Sequence, residues 1–291
     1  MTHFCTKEIK KKIIFQPNKI LGQNFLFDKN YLQKIVAICP INSDTVIIEI
    51  GSGYGDLTNE LVKTNCKKII GLEKDKKLFQ WLEKKNKSER IIYLWQDALS
   101  IDWEKFCLEY KDSSIVVIGN LPYCIANSLI INLLFQHHLF KYFVFLVQKE
   151  VGQKWVSSST KYSSKYSALS IFINYLAETK LVFEIPRNIF KPVPSVDGSL
   201  VTVKPWKDKN VCVSKQQLVS FLKFLKNCFF FRRKTLWNNL LAFSGDREKD
   251  WKKYFYEKNY STKIRSQNLT VEDHRELFLY WKKILKKNLL N

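Results

Sequence analysis

Asn120, Leu121, Pro122 and Tyr123 bring four different chemical abilities into one short stretch. The Asn120 amide offers an acceptor oxygen and a pair of N–H donors. Pro122 locks its own φ and pushes Leu121 into an extended conformation, which sets the direction of the Leu121 carbonyl. Tyr123 supplies a flat aromatic face. Two aimed acceptors and one stacking ring suit a planar base held by its amino group. The same four residues also suit a strand end with a proline turn and a buried tyrosine.

The run before them, Ile115-Val116-Val117-Ile118, is apolar and entirely β-branched, then stops at Gly119. It reads as a strand buried on both faces, as parallel sheets require. In an open α/β sheet, chemistry collects where strands end.

Three upstream segments share this form. Val46–Ile50 runs into Gly51, Gly53 and Gly55, with Glu49 just before the turn. Asp56 stands where the dinucleotide fingerprint needs its sixth-position glycine, which argues against NAD and FAD. An acid followed by G-x-G-x-G is instead the pattern found where S-adenosylmethionine binds. A strand over Lys68–Leu72 ends at Glu73, placed to accept both hydroxyls of a ribose or, alternatively, to open a helix as a solvated carboxylate. A strand over Ile91–Trp95 ends in Gln96-Asp97, with Asp97 placed to accept from an adenine amino group. Gly51, Glu73, Asp97 and Asn120 therefore mark four strand tips around one crevice.

Further along, Tyr142–Val147 reads as a fifth strand, and Lys180–Ile185 with Ser199–Val203 as a closing antiparallel pair. Between these two, Pro192 and Pro194 stiffen a loop that carries Phe190 over the crevice, unless Phe190 is simply core. From Ser214 the apolar spacing turns helical through Leu218, Phe221, Leu222, Leu225, Cys228 and Phe229. Phe231-Arg232-Arg233-Lys234-Thr235-Leu236 opens a second helix, and Thr270 caps a last one over 271–287.

Charge and cysteine usage limit the setting. The chain has 291 residues and a formal charge of +21. Residues 207–291 hold 20 Lys and Arg against 8 Asp and Glu, a net of +12, whereas residues 1–206 hold 28 against 19, a net of +9. The denser positive charge of the last 85 residues points to a polyanion, nucleic acid above others. Lysine supplies 41 of the 48 cations, so AT-rich codon usage is a second source of the excess. Seven scattered cysteines with no C-x-x-C pair fit reduced thiols and argue against disulfides or a zinc site. The most apolar long stretch, Leu129–Val147, is broken by Gln136, His137, His138 and Lys141, so no membrane span is expected. No secretory leader follows Lys10–Lys12. These features suggest a cytoplasmic α/β protein with three parts: a basic arm over 1–18, a domain over 19–206 that carries the crevice and a helical domain over 207–291 that docks nucleic acid.

The motifs GQNFL (22–26), EIGSGYGDLT (49–58), QDAL (96–99), GNLPY (119–123), QKEV (148–151), FKPVPSVD (190–197), RRKTL (232–236) and NLTVED (268–273) occur in this order. In them the chain resembles the rRNA adenine N6,N6-dimethyltransferases, the kasugamycin-resistance family of bacteria. The resemblance implies a Rossmann-like class I methyltransferase domain followed by a small all-helical one. It implies S-adenosylmethionine as cofactor, held by Asn24, Leu26, Gly51, Glu73, Asp97 and Asn120. It places Asn120, Leu121, Pro122, Tyr123 and Phe190 at the reacting adenine, and Arg232, Arg233 and Lys234 on RNA. The implied substrate is a pair of adjacent adenosines in a hairpin loop near the 3′ end of 16S rRNA, within an immature small subunit, and the implied enzyme is a monomer without metal. The erythromycin-resistance methyltransferases of large-subunit rRNA, and an assembly factor with dispensable catalysis, are the competing readings. The chain departs from the family pattern at Ser52, Cys124, Ser128, Gly198 and Trp237.

Overall fold

The computed structural model describes residues 16–18, 21–160, 163–207 and 214–287. Most of the basic arm read over 1–18 therefore lies outside the described residues, as does Lys19, the first residue read into the domain over 19–206.

Nine strands are described: β1 (Phe25–Leu26), β2 (Thr45–Ile50), β3 (Lys68–Glu73), β4 (Ile91–Trp95), β5 (Ser114–Asn120), β6 (Tyr142–Gln148), β7 (Ala177–Ile185), β8 (Phe190–Lys191) and β9 (Gly198–Pro205). Seven form one sheet in the order β4-β3-β2-β5-β6-β9-β7. β4, β3, β2, β5 and β6 pair in parallel, and β9 pairs antiparallel with β6. The predicted closing strands are thus both present, with β9 lying between β6 and β7. β1 and β8 form a separate antiparallel pair in which Leu26 lies opposite Phe190.

The parallel part is built as the apolar runs demand. Every residue of β2 is buried, and so are residues 115–119 of β5. Helices Asp56–Leu61, Lys76–Lys85 and Ala126–Leu134 connect the strands. Asp75 starts the second of these by accepting from Lys77 N at 2.9 Å and Leu78 N at 3.4 Å. Such a cap is worth about 1 kcal/mol.

From β2 the chain steps outward to β3 and β4, then returns to β5 on the other side of β2. The order reverses between β2 and β5, which is where open α/β sheets bind ligands. Register brings the tips together, since Ile50 lies opposite both Leu72 and Gly119, and Glu73 opposite Trp95.

Two compact units emerge, Met1–Gly152 with Lys180–Pro205, and Gln153–Thr179 with Trp206–Asn291. The sequence boundary at 206/207 assigned Gln153–Thr179 to the first part, whereas its contacts are with the helices. In the second unit, Phe221 on helix Lys215–Cys228 packs between Tyr175 (5.0 Å between ring centres) and Phe278 (5.1 Å). Leu218, Leu222, Leu225 and Cys228 are buried beside it, as the helical spacing requires. The RRK cluster does not open a helix. It sits in the turn before helix Leu236–Ser244, which Thr235 caps through Asn238 N at 3.3 Å.

Candidate active site

The first unit contains a cleft of about 1040 Å³, part of it open to solvent. Gly51, Glu73, Asp97, Asn120, Leu121, Pro122 and Tyr123 all line it, with Asn24 from the loop before β1. All four marked strand tips therefore face one space.

The glycine turn is held from behind. Glu49 is buried and its Oε2 accepts from Ser52 Oγ at 3.0 Å and from Thr58 Oγ1. Burial pushes the Glu49 carboxyl up to about 7, while the two hydroxyls pull it down and the charges of Glu73 and Asp56 add a little in the upward direction. Glu49 thus ties the turn to the helix that follows it. Ser52, where the family usually has proline, supplies one of those ties. Gly51 adopts φ +73°, and a Cβ built there would meet no neighbour closer than Asn120 O at 3.8 Å. Such a Cβ would fill part of the cleft, so glycine keeps this room for a ligand.

Glu73 is buried at the tip of β3. Its Oε2 accepts from Gly53 N and its Oε1 from Asp75 N, each at 2.8 Å. Burial raises its pKa, and the backbone N–H groups oppose that rise. Lys74 N is a further backbone donor to this carboxylate, which still has acceptor capacity left for a hydroxyl. At the next tip, Asp97 Oδ1 accepts from Leu99 N at 3.0 Å and Oδ2 pairs with Lys74 Nζ at 2.7 Å. Burial pushes this carboxyl up, but the Lys74 and Leu99 partners outweigh it and leave it below the ordinary range. Two acids on adjacent tips, with an open glycine edge between β2 and β5, fit a nucleoside bearing an amino acid tail. The residues present fit S-adenosylmethionine.

Asn120 Nδ2 donates to Asn24 O at 2.7 Å. That bond fixes which end of the amide is which and leaves Oδ1 as the acceptor for the cleft. Leu121 N donates to Leu146 O at 2.9 Å, holding the turn against β6. Gly119 is required there, because a Cβ would come within 2.5 Å of Ile50 O. Tyr123 is half-buried, and its phenol is raised by burial and by the Asp197 charge.

Leu26 and Phe190 lie differently. Leu26 is buried and lines a smaller neighbouring cavity of about 480 Å³. Phe190 is only 2 % exposed, belongs to the core with Leu26, Leu146 and Leu200, and is not among the residues lining the cleft. In this arrangement Phe190 supports Leu26 from beneath, and its ring forms no sandwich with Tyr123.

Sequence spacing overlooked Gln23. Its Nε2 donates to Asp75 Oδ2 at 3.0 Å and its Oε1 accepts from Asn18 N at 2.7 Å. Gln23 thereby latches the loop carrying Asn24 onto the helix cap next to Glu73. The pair is 52 residues apart, so only its place inside GQNFL could have drawn attention to it. Lys74 and the exposed Cys124 also line the cleft without having been expected there.

Residues 14–287 match the family described as ribosomal RNA adenine dimethylase. The chain belongs to that family. It is 38% identical over 263 residues to "Ribosomal RNA small subunit methyltransferase A" of Mycoplasmopsis synoviae (strain 53), covering 90% of this chain and 96% of that one. It is 33% identical over 273 residues to the protein of the same name from Clostridium botulinum (strain ATCC 19397 / Type A), covering 94% and 96%. The crystal structure of a dimethyladenosine transferase from Plasmodium falciparum superposes with a TM-score of 0.72 at 25% identity, covering 89% of this chain and 98% of that one. The Rossmann-like architecture, the helical C-terminal part and methyltransferase activity on rRNA adenine follow from this membership.

Proposed function

We propose that the protein dimethylates the exocyclic amines of two adjacent adenosines in a hairpin loop near the 3′ end of 16S rRNA. The substrate is an immature small subunit, and the enzyme acts as a cytoplasmic monomer. The observation that carries the reading is the Asn120 amide, held by Asn24 O so that Oδ1 is the acceptor on offer in the cleft.

An adenine amine is a weak nucleophile because its lone pair is delocalised into the ring. Bound S-adenosylmethionine supplies an electrophilic methyl group. Glu73 would hold that cofactor by accepting from its ribose hydroxyls, and Asp97 by accepting from its adenine amine. Asn24, Leu26 and Gly51 shape the remainder of that site. Asn120 Oδ1 and the Leu121 carbonyl accept the two hydrogens of the target amine. Held in this way, the amine would present its lone pair to the methyl donor, and the two acceptors would stabilise the positive charge that grows on nitrogen as N–C forms and S–C breaks, until one N–H proton leaves to solvent. Pro122 keeps the Leu121 carbonyl in place, which is the positional part of the rate gain. Tyr123 stacks on the target base, and Phe190 supports Leu26. After the first transfer one hydrogen remains, so a methyl must fit where one acceptor pointed.

The helical unit docks RNA through its excess of cations, including Arg233 and Lys234. Arg232 has a second task, because its guanidinium donates to Ser164 O, and to Tyr166 O at 3.3 Å.

Labelled methyl transfer tests the reading. Immature small-subunit particles are expected to accept four methyls per particle on two adenosines, and large-subunit rRNA none. Labelling of large-subunit rRNA alone would overturn it in favour of the erythromycin-resistance type.

A further inference from the structure

Phe230 and Phe231 stand in the turn between helix Lys215–Cys228 and helix Leu236–Ser244, directly before the cations. Phe230 is 73 % exposed and Phe231 is 42 % exposed. Their rings meet edge to face at 4.8 Å, and Lys234 Nζ lies 5.1 Å from the Phe231 ring centre. Apolar ring surface left in water is unfavourable in proportion to its area, so a partner that covers Phe230 gains most and one that covers Phe231 gains less.

The turn is held in one shape. Buried Asn239 grips Phe231 at both ends, with Oδ1 accepting from Phe231 N at 2.9 Å and Nδ2 donating to Phe231 O at 3.3 Å. Arg232 is tied to the carbonyls of Ser164 and Tyr166. Phe229 turns inward and stacks on buried His274 at 5.6 Å. With Phe229 facing in and Arg232 tied down, Phe230 and Arg233 project outward from an anchored backbone.

We propose that Phe230, backed by Phe231 and flanked by Arg233 and Lys234, is a stacking platform for an unpaired base of the RNA. An exposed ring beside exposed cations is the combination that holds single-stranded nucleic acid, with the ring taking the base and the cations its phosphates. A membrane surface offers negative charge but no flat π-face, and the repeated phosphates and bases of RNA match both the cations and the rings. The proposal rests on the RNA-docking reading and adds to it a contact insensitive to salt.

The test compares full-length variants binding immature 30S particles between 50 and ~200 mM salt, the range over which phosphate contacts show. Phe230→Leu is expected to weaken binding about tenfold, the scale of one lost stacked base, with the parental salt slope. Phe230→Trp, which keeps an aromatic face, should bind at least as tightly as the parental chain. Arg233→Gln should weaken binding and flatten the slope by roughly 0.7–0.9. Parental affinity for Phe230→Leu with an effect of Arg233→Gln overturns the stacking platform and leaves the RNA reading standing. Parental affinity for both overturns the RNA reading as well. If sedimentation shows that the parental chain self-associates, and Phe230→Leu makes it monomeric at undiminished RNA affinity, the patch is an interface between copies.

Discussion

The two compact units use their ionisable side chains in opposite ways. Among the described residues, the first buries the carboxylates Glu49, Glu60 and Glu73, and the second buries no carboxylate. Glu49 and Glu73 accept from backbone and hydroxyl donors around the glycine turn, so desolvation is the cost of holding that turn still. The second unit buries the imidazole of His274 and the phenols of Tyr166 and Tyr254, all neutral in their ordinary folded state, and leaves Arg233 and Lys234 exposed. A group that positions a small ligand must be fixed before the ligand arrives. A cation that binds a phosphate chain displaces counterions condensed on that chain, and so must stand at the surface where the chain can reach it.

The largest effect expected is on turnover. Asn120→Ala removes the amide that Asn24 O orients, and kcat should fall about 100- to 1000-fold, the scale of one lost charge-stabilising group. Methyl transfer at saturating cofactor measures it, and near-parental turnover would remove Asn120 from the amine.

Opposite pH dependences should follow from the two buried groups. The folded value of Glu49, about 7, lies above its ordinary 4.5. Its contribution to stability is thus fully present below pH 4.5 and is lost as pH rises through about 7. His274 is lowered by burial from 6.5 to about 4. Its contribution is present above pH 6.5 and is lost as pH falls through about 4. Each effect amounts to ~3 kcal/mol at most. Hydrogen exchange followed on peptides from each unit should show protection falling in the first as pH rises and in the second as pH falls. Glu49→Gln and His274→Phe should each flatten one trend and leave the other. A parallel drift in both units would break the contrast.

Glu73→Ala should weaken cofactor binding by about 2 kcal/mol, the loss of hydrogen bonds to a charged group. Calorimetry on the folded variant measures it, and unchanged affinity would exclude Glu73 from the ribose.

The smallest effect probes the latch. Gln23→Glu sets a carboxylate against Asp75, and Asp75→Asn sets two amides against each other. Each should reduce kcat by the loss of one hydrogen bond, about 1 kcal/mol. The double variant restores a donor facing an acceptor and should recover most of the loss. Two additive losses would show that the pair serves stability alone.

Much of the first unit was legible in the order of its residues. Apolar β-branched runs that end in Gly51, Glu73, Asp97 and Asn120 leave few alternatives to a parallel sheet with its polar tips at one edge. The reason is local, because period, branching and turn chemistry are properties of neighbouring residues. The motifs carried the family for the same reason, being short runs of adjacent positions.

Tertiary structure alone decided what depends on distant partners. Phe190 reads equally well as a stacking ring or as core, and its place across from Leu26 in the β1–β8 pair settles where it packs. RRKTL reads as three equivalent cations, yet carbonyls 66 and 68 residues away hold Arg232 and leave Arg233 exposed. Trp237, where the family usually has arginine, packs against Phe255 at 5.1 Å. The Gln23–Asp75 bond and the choice of Asn120 Oδ1 over Nδ2 belong to the same class. A side chain's type states which bonds it can make, and only the folded backbone brings one of the possible partners within 3 Å.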